Sequence, residues 1–179
     1  AQFGGGIGLN LAGAILTISN SQIVSNQGLA PGPNNFTGGG IHAGSGSVIM
    51  NSGLISGNTA FRGAGALVSA GSFTLNGGTI TNNEADYGGG IYVRTSTAQL
   101  TINDGSISGN RSVASTFGGG ALYVFQGRVV QNGGEISGNT AVNFGGAMEV
   151  RQGNFQMNGG IISGNSAGNW GGAIYNDQG

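Results

Sequence analysis

One eleven-residue block recurs along the chain and constrains its fold more than any other feature. Its form is apolar-x-apolar-Asn, three turn-like residues, an apolar residue, two small or polar residues and a closing Asn. The clearest copies are FTLNGGTITNN at 73–83 and FQMNGGIISGN at 155–165. The copies begin at Leu16, Val48, Phe73, Leu100, Val129 and Phe155. Each reaches its closing asparagine ten residues later, which indicates one structural unit built several times.

A second block, a Gly-Gly pair followed by a small and an aliphatic residue, alternates with the first. Its aliphatic residues are Ile7, Ile41, Leu67, Ile91, Leu122, Met148 and Ile174, at spacings of 34, 26, 24, 31, 26 and 26. Insertions at 29–36, 94–99 and 111–117 account for the unequal spacings. Within the blocks apolar residues alternate in steps of two, as at Phe73 and Leu75, which is typical of strands and not of helices.

These patterns predict an all-β fold, a single parallel β-helix (β-solenoid). Three short strands per period of about 26 residues, separated by Gly and Asn turns, predict one coil, and the chain holds about six of them. We expect one solenoid domain over 1–179. Neither end shows a capping pattern, so we expect the chain to be uncapped or part of a longer repeat protein. The regular apolar residues argue against disorder, the usual state of a chain rich in Gly, Ser and Asn.

Stacked coils place equivalent side chains about 4.8 Å apart, so each slot of the repeat predicts a file of like residues along the axis. The inward aliphatic file is Ile23, Ile55, Ile80, Ile107, Ile136 and Ile162. A file of closing asparagines, hydrogen-bonded from coil to coil, is Asn26, Asn58, Asn83, Asn110, Asn139 and Asn165. A shorter one is Asn51, Asn76, Asn103, Asn132 and Asn158, with Ser19 in this slot of the first coil.

An aromatic residue stands shortly before each Gly-Gly pair. The file is Phe3, Phe36, Phe61, Tyr87, Phe117, Phe144 and Trp170. Rings at coil spacing stabilise one another beyond their burial. Two interpretations stay open at this point: a structural corner of the coil, or a strip on which sugars stack.

Composition excludes several classes of function. Only 6% of the residues are charged, the formal net charge is −1 and lysine is absent, so we expect no nucleic-acid partner. The absence of cysteine excludes disulfides and thiolate metal sites. No run of about 18 apolar residues occurs, so no transmembrane helix is expected. Nothing in the sequence indicates a cofactor or a metal.

Few residues suit catalysis, and we predict that the protein is not an enzyme. Glu84 and Asp86 are the only acids close in sequence, and they are expected in a solvated turn after Asn83, although such a pair also suits a calcium ion or a shared proton. His42 is the one histidine and is expected on the surface. Arg94, Arg128 and Arg151 lie near strand ends, a spacing that permits two of them on one face.

Two further slots need comment. The residues that follow the inward isoleucine form a polar row. The residues that precede it, which include Leu54, Glu135 and Ile161, are too mixed for the regular array of an ice-binding face. Gln131 occupies a slot that is apolar in the other coils. Either its strand is shifted by one residue, so that Val130 faces inward, or its amide has found a partner.

With these motifs, the chain resembles right-handed parallel β-helix repeat proteins of bacterial surfaces, including the passenger regions of polymorphic outer-membrane adhesins. Gly171 to Ile174 matches the Gly-Gly-Ala-Ile motif of that family, and Phe73 to Asn76 and Phe155 to Asn158 match its Phe-x-x-Asn motif. The resemblance implies an extracellular or cell-surface adhesive role and transfers no catalytic residue.

Two functions therefore remain. The first is a non-enzymatic structural or adhesive solenoid, with a host-cell or glycan surface or its own copies, stacked head to tail into a filament, as partners. The alternative is a carbohydrate-active enzyme or a carbohydrate-binding module that uses a lateral groove.

Overall fold

The computed structural model describes residues 5–29 and 38–177, and within them the chain is all-β, with 25 strands and no helix. The strands form four parallel sheets, and the chain winds through them as a β-solenoid with a repeat of about 27 residues. Strands β1 to β24 fall into six consecutive groups of four, and β25 returns the chain to the first sheet. The predicted parallel β-solenoid is confirmed.

Each sheet collects one strand from every coil. Sheet 1 contains β1 (Ile7–Leu9), β5 (Ile41–Ala43), β9 (Ala66–Val68), β13 (Ile91–Val93), β17 (Leu122–Val124), β21 (Met148–Val150) and β25 (Ile174–Asn176). Sheet 2 contains β2 (Ile15–Ile18), β6 (Ser47–Met50), β10 (Ser72–Leu75), β14 (Gln99–Ile102), β18 (Arg128–Gln131) and β22 (Asn154–Met157).

The remaining two sheets flank the asparagine turn. Sheet 3 contains β3 (Ser21–Val24), β7 (Gly53–Ser56), β11 (Thr79–Thr81), β15 (Ser106–Ser108), β19 (Glu135–Ser137) and β23 (Ile161–Ser163). Sheet 4 contains β4 (Gln27–Gly28), β8 (Thr59–Arg62), β12 (Glu84–Tyr87), β16 (Arg111–Ser112), β20 (Thr140–Ala141) and β24 (Ser166–Ala167).

Sheet 4 corrects the prediction of three strands per coil. Its strands follow the closing asparagine, and four of the six, β4, β16, β20 and β24, span only two residues each. A strand of that length shows no alternation of apolar and polar residues. Its pairing depends on the chain of the neighbouring coil, as where Gln27 is the register partner of Thr59.

The core runs along the axis of the solenoid and is built from the inward residues of sheets 1, 2 and 3. The predicted isoleucine residues of sheet 3 are consecutive register partners, from Ile23 and Ile55 to Ile136 and Ile162. In the inner coils these side chains are fully buried against the aliphatic residues of sheets 1 and 2. Burial of one such side chain is worth about 2 kcal/mol, so the file is a main source of stability.

One aliphatic position was misassigned by one residue. The inward file of sheet 1 runs through Ala66, which pairs with Ile41 and Ile91, and not through Leu67. Leu67 instead pairs with His42 and Tyr92 on the outer face of the sheet, where it is fully buried. The segment Gly-Ala-Gly-Ala-Leu at 63–67 contains no Gly-Gly pair that would fix the phase of the block. The spacing to the next block gives the correct phase, because Ala66 precedes Phe73 by seven residues, as Ile41 precedes Val48.

Gln131 keeps the register of its neighbours, because β18 pairs Gln131 with Ile102 and with Met157. Its side chain is fully buried, so the shift that would place Val130 inward does not occur. Its Nε2 donates to the carbonyl oxygen of Gly134 at 3.5 Å, which is long for a hydrogen bond. Its Oε1 has no hydrogen-bond partner among the described residues.

Candidate functional site

The closing asparagines form the predicted hydrogen-bonded ladder. The side-chain Nδ2 of each donates to the Oδ1 of the next, at 2.9–3.0 Å in every step from Asn26 to Asn165. The backbone N–H donates to the same oxygen, as from Asn83 to Asn110 at 3.1 Å. Asn58, Asn83, Asn110 and Asn139 are buried. The ladder satisfies these amides and is structural.

The second asparagine ladder is also present, on the surface. Four steps link Asn51, Asn76, Asn103, Asn132 and Asn158 by Nδ2 to Oδ1 hydrogen bonds of 2.8–2.9 Å. In the first coil the adjacent residue, Asn20, accepts a hydrogen bond from the hydroxyl of Ser52 instead. Neither ladder leaves a group directed at a ligand.

The outer face of sheet 1 is different, because its outward side chains from His42 to Glu149 are buried. The middle residues of its strands are register partners in one row: Gly8, His42, Leu67, Tyr92, Tyr123, Glu149 and Tyr175. An outward strand residue is normally exposed, yet Tyr92 and Tyr123 are only 5% and 4% exposed. A second layer of side chains therefore covers this face.

His42 belongs to this buried row, so the prediction of a surface histidine is wrong. It is 4% exposed, and its Nε2 lies 2.8 Å from the hydroxyl oxygen of Ser69. Burial, and secondarily the charge of Arg94, lowers the pKa of His42. The His42 imidazole is therefore neutral and hydrogen-bonded, and it packs within the outer face of sheet 1.

The predicted aromatic file forms one flank of the covering layer. Phe61 and Tyr87 meet edge to face at 5.3 Å between ring centroids, and Tyr87 and Phe117 are tilted at 6.4 Å. Farther along, Phe144 and Trp170 lie 5.7 Å apart. The first two members of the file, Phe3 and Phe36, lie outside the described residues. The rings contact one another in edge and tilted geometries and not as a regular stack.

These rings pack against the buried row and against the residues that follow the strands. The centroids of Tyr92 and Tyr123 are 5.0 Å apart, and Tyr123 stacks on Phe125 at 6.5 Å. Tyr87 also contacts Tyr123, at 5.7 Å. The corner file, the buried row and the residues after the strands thus form three adjacent rows of a lateral groove. The ring contacts agree with the interpretation of the aromatic file as a structural corner, and sugar stacking on it stays a prediction.

Three of the five arginines enter this groove. A cavity of about 300 Å³ is lined by Arg62, Tyr87, Tyr92, Arg94, Phe117, Tyr123, Phe125 and Arg151, and we call it the aromatic–arginine groove. The Arg151 guanidinium lies 3.9 Å from the centroid of the Phe117 ring, and that of Arg62 lies 4.9 Å from the Phe61 centroid. Planar cations over aromatic faces are held by cation–π attraction.

The positions of Arg94 and Arg151 agree with the expectation that two of the three arginines near strand ends share a face. Each follows a strand of sheet 1, and their backbones are two coils apart in the same slot, with Phe125 between them. Arg128 lies at the start of β18 in sheet 2, where it donates to Gln156 Oε1 at 2.8 Å. It is therefore not part of the groove.

A buried carboxyl group, Glu149, lies beneath the arginines. It is fully buried, and its Oε2 accepts a hydrogen bond of 2.5 Å from the backbone N–H of Gly118. Its Oε1 has no hydrogen-bond partner among the described residues. Burial raises the pKa of Glu149 to about 7, against the lowering effects of the Gly118 hydrogen bond and Arg151.

Glu84 and Asp86, the one pair of acids close in sequence, both line a second cavity of about 340 Å³. They belong to strand β12 and not to a turn, which corrects the prediction. Glu84 is exposed and forms an ion pair with Arg111, its register partner in the next coil, at 2.9 Å. Burial and the nearby Glu84 raise the pKa of Asp86, against the lowering effect of Arg62. Within 5–29 and 38–177 no three His, Asp or Glu side chains group as metal ligands do.

The residues that sequence reasoning missed are those of the buried row. Tyr92 and Tyr123 each follow an inward aliphatic residue in the runs Gly-Ile-Tyr-Val and Ala-Leu-Tyr-Val, and Glu149 has the same slot. A large aromatic residue repeated at an outward position was the available signal. Because Glu149 interrupts the aromatic residues of this slot with a charged one, the slot does not stand out as aromatic in the sequence.

Comparison of the chain with protein-family models, curated proteins and solved structures found no match. No helix in the described part of the chain has the length and apolar character needed to cross a membrane.

Proposed function

We propose that the chain is a non-enzymatic, extracellular adhesive β-solenoid that binds carbohydrate through the aromatic–arginine groove. The observation that carries this proposal is the convergence, on one face of a parallel sheet, of five aromatic rings and three arginines around a 300 Å³ cavity. Aromatic faces and a few fixed polar groups are the composition expected of a ligand pocket. The family resemblance in the sequence motifs supports an adhesive role.

The same groove argues against catalysis on a glycan. Glycosidases need two carboxyl groups that reach opposite sides of the scissile bond. Glu149 is fully buried and hydrogen-bonded to backbone, so its oxygens do not reach a ligand in the groove. Asp177, the other carboxylate at this end, binds the Arg151 guanidinium at 3.3 Å. Among the described residues, the groove therefore lacks the two accessible carboxyl groups that a glycosidase needs.

A glycan array followed by isothermal titration calorimetry tests the proposal. We expect saturable binding of a carbohydrate, with the bound oligosaccharide recovered unchanged after long incubation. Tyr87→Ala removes an aromatic face from the groove and should abolish binding, whereas Gln126→Ala, on an exposed side chain outside the groove lining, should not. Absence of binding across the array, or cleavage of the bound glycan, would contradict the proposal.

A second candidate function is head-to-tail stacking of copies into a filament. It is favoured by the direction of the asparagine ladder. In the buried ladder, from Asn26 to Asn165, the donors point to the next coil, so a stacked copy would bring the Asn165 N–H toward the Asn26 Oδ1 of its neighbour. Sheet 1 also has β1 and β25 as its two outer strands, in the same phase of the coil. Such a heterologous contact does not close and propagates as a filament.

Sedimentation velocity over a hundredfold range of protein concentration, with electron microscopy of the same samples, tests this candidate. Stacking predicts a sedimentation coefficient that rises with concentration and particles that lengthen without becoming wider. Monodisperse short particles at micromolar concentration would rule it out. The glycan experiment is independent of this result.

A further inference from the structure

We infer that the ligand of the aromatic–arginine groove is an acidic carbohydrate, whose carboxylate binds between Arg62 and Arg94 while its ring packs on the partly exposed rings of Tyr87 and Phe125. This inference rests on the proposed function and specifies the chemical class of the ligand. It depends on how charge and aromatic surface are distributed within the groove.

Positive charge is concentrated in the groove of a chain that has little charge elsewhere. The described residues that line the cavity include three arginines and no carboxylate. The chain as a whole has five arginines and six acids, with a formal net charge of −1. A neutral sugar would not require this concentration of guanidinium groups, because hydroxyl groups are recognised equally well by amides and carboxylates.

Arg62 and Arg94 act on each other as neighbouring cations. Burial, together with the charge of Arg62, lowers the pKa of Arg94. Both guanidinium groups line the same cavity, and two cations on one cavity are stabilised by an anion placed between them. A planar guanidinium also matches a carboxylate through two parallel hydrogen bonds, which gives orientation as well as affinity.

The acids nearest the groove lie at its two ends. Asp177 pairs with Arg151 at 3.3 Å, and Asp86 acts electrostatically on Arg62. Glu149 lies beneath the cavity, out of contact with solvent. The central part of the groove, between these acids, contains Arg94 and the partly exposed rings of Tyr87 and Phe125, which lie over the buried Tyr92 and Tyr123. It therefore offers a cation beside an aromatic surface, which together match a sugar ring bearing a carboxylate.

The test compares matched glycans by calorimetry on the intact chain. The panel pairs oligogalacturonate, oligomannuronate and a glucuronate-containing oligosaccharide, each with its methyl ester, which keeps the sugar ring and removes the charge. We expect at least one acid to bind at least tenfold more tightly than its ester. Affinity of the acid should fall as the salt concentration rises, because the contact is ionic.

Variants locate the contact. Arg94→Gln should weaken binding of the acid by about tenfold to a hundredfold more than it weakens binding of the ester, because only the acid loses a charge-assisted hydrogen-bond pair. Arg128→Gln, an arginine of sheet 2 outside the groove, is the matched control and should change neither affinity. Circular dichroism of both variants verifies that the β-structure is retained.

The outcomes separate this inference from the proposed function. Esters that bind as tightly as their acids, or an Arg94→Gln variant with unchanged preference for the acid, overturn the inference and leave carbohydrate binding in place. Neutral glycans that bind while no acid of the panel does so also overturn it. Absence of binding to every member of the panel and to the glycan array overturns both.

Discussion

At the scale of single residues, the solenoid places polar side chains where each depends on the coil beside it. Asn110 shows this most clearly. Its Nδ2 donates to Asn139 Oδ1 at 3.0 Å and to the Ile80 carbonyl oxygen at 2.9 Å, and its Oδ1 accepts from Asn83. These groups are buried and hold three successive coils together. An amide of this kind is fully satisfied only while both neighbouring coils are in place.

We therefore expect Asn110→Ala to lower the free energy of unfolding by about 3 kcal/mol, because several buried donors and acceptors lose their partner together. Asn103→Ala removes the equivalent amide from the exposed ladder, where water replaces it, and should cost less than about 1 kcal/mol. Urea unfolding followed by circular dichroism compares the two variants. Equal losses of stability would contradict the assignment of the buried ladder as the stronger one.

The buried Glu149 makes the stability of the folded chain depend on pH, and its raised pKa gives the sign of that dependence. Its ordinary pKa is 4.5, and burial raises the value in the folded protein to about 7. The folded state therefore binds the proton more tightly than the unfolded state does. The stability that this proton contributes is fully present below pH 4.5 and is lost as the pH rises toward 7.

The variant Glu149→Gln isolates this contribution. The free energy of unfolding of the parent, measured relative to the variant, should decrease by up to about 3 kcal/mol between pH 4.5 and 7. The pKa of His42 is lowered by burial, so its effect has the opposite sign, but it is present in both proteins and cancels in the difference. Urea unfolding at a series of pH values provides the measurement. A difference independent of pH would show that Glu149 titrates normally.

At the scale of elements, the sequence predicts those strands whose period is visible in a single coil. The ten-residue spacing of the blocks placed the isoleucines of sheet 3 and both asparagine ladders. Sheet 4 was not predictable in this way, since strands such as Arg111–Ser112 are defined by pairing with another coil. The burial of Tyr92 depends on rings contributed by other parts of the chain, and no local pattern contains that information.

A glycine recurs in the turn before each of five strands of sheet 1, three residues before the inward residue of the strand, and its backbone conformation explains the recurrence. Gly63, Gly88, Gly119, Gly145 and Gly171 all have φ between 60° and 72°. A Cβ at Gly119 would lie 1.9 Å from the carbonyl oxygen of Leu122. Two independent constraints, backbone conformation and space, therefore require glycine at this point.

Gly119→Ala should accordingly destabilise the protein by about 3 kcal/mol or more, because both constraints are violated. Gly138→Ala is the control: its φ is 62°, and a Cβ there meets no atom within 4 Å. It should cost only about 1 kcal/mol, the conformational part. Thermal unfolding of both variants, followed by circular dichroism, tests the difference. A Gly138 variant as unstable as the Gly119 variant would show that clash contributes nothing.

At the scale of the whole molecule, each coil is stabilised by its two neighbours, so stability should be distributed as in a linear array. Exposure already shows the gradient. The isoleucines of β11, β15 and β19 are fully buried, whereas Ile162 of β23 is only partly buried and its neighbour Ile161 is 58% exposed. The self-similar sequence predicts this architecture as a whole. It does not predict the groove, which arises where the residues of three rows from different coils meet.

Hydrogen–deuterium exchange measured by mass spectrometry should reveal this gradient. Amides of β11 and β15 should exchange most slowly, at rates set by opening of the whole array, and those of β23 and β24 fastest, because one side of these strands has no neighbouring coil within the described chain. Repeating the experiment at high protein concentration connects the gradient to assembly. If copies stack head to tail, protection of β23 and β24 should rise with concentration while that of β11 stays constant. Uniform protection along the chain at every concentration would mean that the coils unfold as one cooperative unit, and the additive description would then be wrong.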